Sequence, residues 1–135
     1  MHIVICLDLS SFTEKYLTSI KTLLQSFKDC EISVIHIIDE TLFTAGTGYE
    51  IQLSENLKTD SEYLKDLAVQ HLGAQINYIE DYGIPGQKID EILQESNYDM
   101  LVIGRHSRNI LGVRLLGGVA EHLLHRSKKP VLVIP

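Results

Sequence analysis

The stretch VIGRHSRNILGVRLLGGVAEHLLHRSKKPVLVIP, residues 102–135, decides the fold of this chain. It begins with the end of an apolar run at Gly104 and continues through a polar loop. A glycine pair, Gly117 and Gly118, then opens a helical pattern that stops before Pro130. The apolar run VLVI closes the chain, so the stretch predicts a strand, a loop, a helix and another strand.

The same alternation extends towards the N-terminus. Four apolar runs have strand length, namely IVICLDL (3–9), EISVIHII (31–38), AQINYI (74–79) and DMLVIG (99–104). Helical patterns separate them, which gives the order βαβαβαβαβ. This order predicts an α/β fold with a five-stranded, mostly parallel sheet and helices on both faces. We expect a single domain over residues 1–135.

The helical patterns are amphipathic. In the first, Ser11 and Glu14 have capping-box spacing, and its apolar face comprises Phe12, Tyr16, Ile20, Leu23, Leu24 and Phe27. The second follows the loop TLFTAGTGY and carries Leu53, Leu57, Leu64, Leu67, Ala68 and Leu72. The third is expected at about 87–97, with Ile89, Ile92 and Leu93 inward, and the fourth at about 118–127.

Composition excludes several classes of function. The net charge is −6, but residues 101–135 carry six Lys and Arg against Glu121, and they include all four arginines. An acidic body argues against general nucleic-acid binding, whereas the basic end suits a small anion. No apolar run approaches the length of a membrane span, and the N-terminus does not resemble a signal peptide. With two cysteines and no CxxC pair, the chain is expected to be cytoplasmic.

The basic end has the elements of a phosphate site without a familiar motif. There is no GxxxxGK[ST], and the GxG of residues 46–48 lacks the third glycine of a dinucleotide fingerprint. Gly117 and Gly118 precede a helix, where backbone N–H groups and the helix dipole favour anions. The alternative is that these glycines only permit tight turns. In a parallel sheet, ligands bind beyond the carboxyl ends of strands, here at 7–10, 37–40 and from Gly104 onward.

Over nearly its whole length the chain resembles a universal stress protein domain. The resemblance rests on the segments IVICLDLS, VIHIIDE, YGIPGQKIDEI, YDMLVIGRH and LLGGVAEHLLHRSKKPVLVIP. Members of this family that bind ATP carry GxxGx9G[ST] in the last part of the chain. The resemblance implies a Rossmann-like adenine-nucleotide site in which Asp8 and the backbone at Ile37 hold the base. The glycines would hold the ribose and phosphates. The nucleotide-binding residues implied are Leu7, Asp8, Ile37, Gly104, Arg105, His106, Ser107, Arg108, Gly117, Gly118 and Val119.

Two positions depart from the family pattern. Ser107 stands at the second glycine, and Gly118 stands where relatives carry Ser or Thr. Gly118 retains its N–H but lacks a hydroxyl donor. Arg105 and Arg108 can compensate, because a guanidinium donates two parallel hydrogen bonds to phosphate. The expected ligand is ATP or AMP, with Mg²⁺ as a further possibility.

Other polar residues have simpler interpretations. Asp39 and Glu40 at a strand end could join a magnesium site or be solvated. His36, in an apolar strand, is expected to be a hydrogen-bonded core histidine. His122 and His125 have a spacing that can hold a metal, but no third ligand accompanies them. Phe43 and Tyr49 could cover a base or simply pack.

The expected function is therefore regulatory. The sequence contains no GxSxG and no HExxH, so an efficient enzyme is not expected and activity is limited to slow ATP hydrolysis at most. We expect a stress-response protein that binds an adenine nucleotide and acts on an unknown protein partner. The resemblance implies a homodimer through the C-terminal strand, with Pro135 ending the ladder. The alternative is an interaction dimer that binds no nucleotide.

Overall fold

The computed structural model describes residues 1–8, 10, 12–39, 50–105 and 116–135, with the side chains of residues 50–57 left out of the description. Strands and helices alternate along the chain. Their order is β1 (His2–Cys6), α1 (Thr13–Leu24), β2 (Glu31–Asp39), α2 (Glu50–Leu72), β3 (Asn77–Gly83), α3 (Pro85–Gln94), β4 (Met100–Gly104), α4 (Gly118–Arg126) and β5 (Val131–Ile134). The predicted βαβαβαβαβ order is confirmed.

The five strands form one sheet in the order β3-β2-β1-β4-β5. All four neighbouring pairs are parallel. The chain winds outward from β1 to β3, then crosses back to place β4 on the other side of β1. The winding direction therefore reverses between β1 and β4, at the centre of the sheet.

Two apolar clusters cover the two faces of the sheet. Helices α1 and α2 cover one face, through buried residues that include Tyr16, Leu17, Ile20, Leu64, Ala68 and Leu72. Helices α3 and α4 cover the other face, through Ile89, Leu93, Ala120 and Leu123. Strand β1 contributes to both, because successive side chains of a strand point to opposite faces. Its central position explains why Ile3, Val4 and Ile5 are fully or nearly fully buried.

The third strand lies later than the sequence predicted. The run AQINYI (74–79) was expected, whereas β3 runs from Asn77 to Gly83 and pairs residue by residue with Ser33–Asp39. β3 is an edge strand, and its carboxyl-terminal half carries polar residues, as loops commonly do. Residues 74 and 75 form the turn after α2 instead.

Helix boundaries also differ from the prediction. The N-cap of α1 is Phe12, without a side-chain cap hydrogen bond. The predicted capping box begins at Ser11, which lies outside the described residues. Phe12 is 41% exposed, and Leu17 replaces it on the buried face. Helix α3 runs from Pro85 to Gln94 rather than 87–97, because proline suits the first helical position, where no N–H is needed.

Candidate functional site

Strands β1 and β4 separate at their carboxyl ends. Their pairing stops at Ile5↔Val102. Beyond this point each strand follows its outer neighbour: Leu7 N–H donates to Ile35 O (2.9 Å), and Arg105 N–H donates to Ile134 O (2.8 Å). The divergence opens a crevice where the winding direction reverses, which is the usual ligand position in open α/β sheets.

The alternation of the ladder shows which backbone groups face this crevice. Successive residues of a parallel strand direct their N–H and C=O groups to opposite neighbours. The backbone groups of Leu7 face β2 and those of Arg105 face β5. The backbone groups of the preceding residues, Cys6 and Gly104, therefore face the gap between β1 and β4. The N–H of Gly104 therefore points towards the crevice beyond the end of the ladder.

The hydroxyl of Tyr16 bridges the two strands where they separate. It donates to Cys6 O at 2.7 Å and lies 3.2 Å from Val102 O, so it is shared between one carbonyl of each strand. The ring is 8% exposed. A Cβ built on Gly104 would lie 3.5 Å from this ring. The tyrosine therefore forms the floor of the crevice on the α1 side.

Burial keeps the side chains of Tyr16 and Cys6 protonated and uncharged at neutral pH. Burial first, and then the proximity of Cys6 and Asp8, raise the pKa of Tyr16 well above its ordinary value. Burial also raises the pKa of the Cys6 thiol to about 12, with Asp8 adding to the shift. Tyr16 therefore remains a hydrogen-bond donor at neutral pH, and Cys6 remains a thiol.

Thr13 organises the loop between β1 and α1. Its hydroxyl lies 2.8 Å from Asp8 O and 3.0 Å from Ser10 O, and it accepts from Ser10 N–H at 2.9 Å. The residue is 4% exposed. Asp8 follows β1 at the crevice and is exposed. Thr13 thus holds the backbone that carries Asp8.

The ends of the basic loop are brought together by the backbone. Gly117 N–H donates to Arg105 O at 3.3 Å. Gly104 is half-buried and Arg105 is exposed beside the crevice. His106, Ser107 and Arg108 lie outside the described residues, so their assignment to the site stays a prediction.

Helix α4 begins beside these residues, and its N-cap residue, Gly117, has no side chain that could cap the first turn. Gly117 is the N-cap in an extended conformation, φ −62°, without a side-chain hydrogen bond. Gly118 and Val119 are exposed. A Cβ built on Gly118 would meet nothing within 4 Å, and its φ is not in the left-handed region. The N–H groups of this turn are suitably placed for an anion.

Leu7 and Ile37 can offer a ligand only their backbone. Their side chains are 4% and 8% exposed and belong to the core. Ile37 has the same parity as Ile35, whose carbonyl accepts from Leu7. The N–H and C=O of Ile37 therefore point to the β1 side, past the end of the β1–β2 pairing at Cys6↔Ile35.

The remaining polar residues lie apart from the crevice. His36 is buried with Nδ1 3.4 Å from Glu80 Oε2, which confirms a hydrogen-bonded core histidine. His122 packs on Gly86, whereas His125 is exposed 4.0 Å from Glu121. Asp39 ends β2 and is half-buried; Glu40, Phe43 and Tyr49 lie outside the description. Within the described ranges, no three metal-ligating side chains form a group.

Two site residues were missed by the sequence analysis. Tyr16 was interpreted only as part of an apolar face, and Thr13 was not singled out. A buried tyrosine usually needs a hydrogen-bond partner for its hydroxyl, and this was the signal available for Tyr16. One of its two hydrogen-bond partners is Val102 O, which lies 86 residues away in the chain.

Comparison with known proteins establishes the family. A model of the universal stress protein family matches residues 1–135. Universal stress protein MJ0577 of Methanocaldococcus jannaschii is 28% identical over an alignment of 147 residues. The alignment covers 94% of this chain and 90% of the relative. The solved structure of MJ0577 superposes with a TM-score of 0.83 at 27% identity, covering 98% and 94% of the two chains. The chain belongs to the universal stress protein family.

More distant structures share the fold. A universal stress protein in complex with cAMP has a TM-score of 0.68 at 19% identity, covering 99% of this chain and 95% of that one. The Archaeoglobus fulgidus protein in complex with dAMP has a TM-score of 0.61 at 19% identity, covering 100% and 98%. None of the helices within the described ranges is both long enough and apolar enough to cross a membrane.

Proposed function

We propose that this protein binds an adenine nucleotide in the crevice between β1 and β4 and acts as a cytoplasmic regulatory homodimer in a stress response. The observation that carries the proposal is the convergence of Gly104, Arg105 and the start of α4 at Gly117 at the point where β1 and β4 separate. The cAMP and dAMP complexes of proteins with this fold support the choice of an adenine nucleotide.

The proposed ligand contacts residues on both sides of the crevice. On the β1 side, Asp8 and the backbone of Ile37 hold the base. On the β4 side, the N–H of Gly104 faces the ribose and first phosphate, and the N–H groups of Gly118 and Val119 receive phosphate oxygens. Arg105 neutralises the phosphate charge, and the loop residues His106, Ser107 and Arg108 complete this side.

The protein's own groups bind and orient the nucleotide rather than react with it. Mg²⁺, where present, would neutralise phosphate charge, with Asp39 at the end of β2 as a candidate ligand. Bound and empty states then differ in the surface that the protein presents to a partner. AMP fits the observed groups as well as ATP, because Gly118 offers no hydroxyl to a terminal phosphate.

Calorimetric titration of the protein with ATP, AMP and adenosine tests this proposal. The double variant Arg105→Ala/Arg108→Ala should weaken ATP by about ten- to a hundredfold and adenosine by much less, since charged hydrogen bonds to phosphate are lost. ATP affinity should also fall as salt is raised.

The matched control is Lys128→Ala/Lys129→Ala. It removes the same net charge from exposed residues at the amino end of β5, away from the crevice. It should leave ATP affinity within about twofold of the parent, because charges beyond a Debye length are screened. Equal losses for the two double variants, or for ATP and adenosine, would contradict the assignment of the basic loop.

A second part of the proposal concerns assembly through β5. This strand, VLVI, is an edge of the sheet, and three of its four residues are only half-buried. Leu132 and Ile134 direct their backbone groups to β4, as the bond from Arg105 N–H to Ile134 O indicates. Val131 and Val133 therefore present N–H and C=O groups outward. An apolar, open edge of this kind favours pairing with a second copy.

Val133→Pro tests the assembly, because proline removes an outward N–H without removing a bond to β4. Sedimentation at tens of micromolar should change from dimer to monomer. Val133→Ala, which keeps the N–H, should remain a dimer. A Val133→Pro protein that folds and still dimerises would exclude pairing through β5, as would a dimer that persists after deletion of residues 131–135 in a folded chain.

The interaction dimer without nucleotide is the competing function. It is favoured by Gly118, which leaves the start of α4 without the hydroxyl that nucleotide-binding relatives carry, and by Ser107. A dimer in sedimentation together with no heat of binding for any adenine nucleotide would establish this alternative.

A further inference from the structure

Strands β1 and β4 are each held by their outer neighbours near the crevice. On one side, Leu7 N–H donates to Ile35 O of β2; on the other, Arg105 N–H donates to Ile134 O of β5. The direct pairing between the two strands has already ended at Ile5↔Val102. The separation of the two sides of the crevice is therefore not fixed by the ladder itself.

The Tyr16 hydroxyl occupies this gap. Its bond to Cys6 O is 2.7 Å long and its distance to Val102 O is 3.2 Å. Cys6 O is the acceptor that Gly104 N–H would use if the ladder continued one step further. The hydroxyl takes the place of that donor, satisfies the buried carbonyl and leaves Gly104 N–H directed at the crevice.

The rest of the tyrosine supports the same geometry. Its ring lies 3.5 Å from a Cβ built on Gly104, which is ordinary contact distance. One turn earlier on the same face of α1, the Thr13 hydroxyl lies 2.8 Å from Asp8 O. A single helix face thus contacts the base side of the crevice through Thr13 and both sides through Tyr16.

We propose that Tyr16 is a positioning residue of the nucleotide site, whose hydroxyl fixes the distance between the base-binding side on β1 and the phosphate-binding side on β4. This inference rests on the proposed nucleotide binding. Tyr16 itself touches no ligand; it acts through Cys6 and Gly104. A ligand that spans the crevice depends on this distance, whereas a ligand that binds one side does not.

Tyr16→Phe is the test, because it removes the hydroxyl and keeps the ring against Gly104. At a temperature where the variant is fully folded, ATP affinity should fall by about three- to tenfold, the usual weight of one hydrogen bond. Adenine and inorganic triphosphate, which occupy one side each, should lose less than twofold. A purely structural role would lower the three affinities together.

Tyr98→Phe is the matched control. Tyr98 is equally buried, at 6% exposed, and its hydroxyl lies 3.5 Å from Ser127 Oγ, near the amino end of β4. This variant should bind ATP like the parent. Equal ATP losses in Tyr16→Phe and Tyr98→Phe, or no loss in Tyr16→Phe, would overturn the inference.

Amide hydrogen exchange of the ligand-free protein separates this inference from the proposed function. In Tyr16→Phe, the amides of Leu7 and Arg105, which are hydrogen-bonded in the parent, should exchange at least about fivefold faster than in the parent, with β2–β3 amides unchanged. If the parent binds no nucleotide, the proposed function fails and local exchange alone decides whether Tyr16 fixes the crevice. Uniform or absent acceleration would show that it does not.

Discussion

The two ends of the β1–β4 pair are built differently. At the amino end, Asp99 N–H donates to His2 O (2.8 Å), His2 N–H donates to the Asp99 carboxylate (2.7 Å), and the His2 ring contacts Asn97 O (3.0 Å). At the carboxyl end, the described contact between the strands beyond the ladder is the Tyr16 hydroxyl. One end is closed by several bonds, and at the other the ladder ends and the two strands follow their outer neighbours.

This difference shows where a parallel sheet can accommodate function. The amino end has connections that tie the strands, and changes there should affect stability more than binding. The carboxyl end exposes backbone groups and a helix start, and changes there should affect binding more than stability. Three predictions test this division.

The largest expected effect is at the carboxyl end. Gly118→Ser should increase ATP affinity about tenfold or more, because a hydroxyl bond to a charged phosphate contributes about 1.5–3 kcal/mol. The site has room for a side chain and no left-handed φ, so the melting temperature should not fall. Titrations with ATP and adenosine, beside thermal melting, measure both. A normally folded variant with unchanged ATP affinity would favour the interaction dimer.

The carboxyl end should also make the protein sensitive to alkali. The pKa of Cys6 is raised from 9.0 to about 12 in the fold. Below pH 9 the thiol is protonated in both states, so its contribution is constant. Between pH 9 and 12 the unfolded chain releases the proton while the native protein keeps it, and stability should fall by up to about 1.4 kcal/mol per pH unit.

Urea unfolding of the parent and of Cys6→Ala across this pH range measures the loss of stability at high pH. At pH 8 the variant should be less stable, owing to the side chain removed. Above pH 9 the difference should narrow, because the variant lacks this titration. Tyr16, whose pKa is also raised by burial, adds to the loss at higher pH in both proteins. A constant difference from pH 8 to pH 11 would contradict the assignment to Cys6.

The smallest effect is expected at the amino end. Asp99→Ala removes the carboxylate that accepts from His2 N–H and should destabilise the protein by about 1 kcal/mol, with ATP affinity unchanged. Glu95→Ala, which removes an exposed carboxylate of the same connection, is the control for charge. A loss of ATP affinity in Asp99→Ala would break the division between the two ends.

The sequence predicted four of the strands well and the edge strand β3 less well. β1, β2, β4 and β5 are rich in Ile and Val, because the sheet is covered on both faces. β3 carries Glu80, Asp81 and Tyr82 in its second half, whereas the predicted strand ended before them at Ile79. The other edge strand, β5, is apolar, so an edge position alone does not fix the composition of a strand.

The site was predictable only where spacing carries information. The glycine positions placed Gly104, Gly117 and Gly118 at one loop, and the backbone bond between Gly117 and Arg105 joins the ends of that loop. Tyr16 followed the apolar period of α1 and could not be distinguished from a core residue. Its role depends on two carbonyls that lie within reach of its hydroxyl, and sequence patterns do not encode which carbonyls these are.

The distance along the chain between those two carbonyls has a consequence for folding. Tyr16 can reach Cys6 O, 10 residues away, as soon as β1 and α1 have formed. It can reach Val102 O, 86 residues away, only after β4 has been synthesised and docked. Until then the β1–α1–β2–α2–β3 half has one side of β1 unpaired. Because long-range contacts of this kind form late, the second contact of Tyr16 should be acquired when the two halves of the sheet join, and substitution of its hydroxyl should accelerate unfolding more than it slows folding.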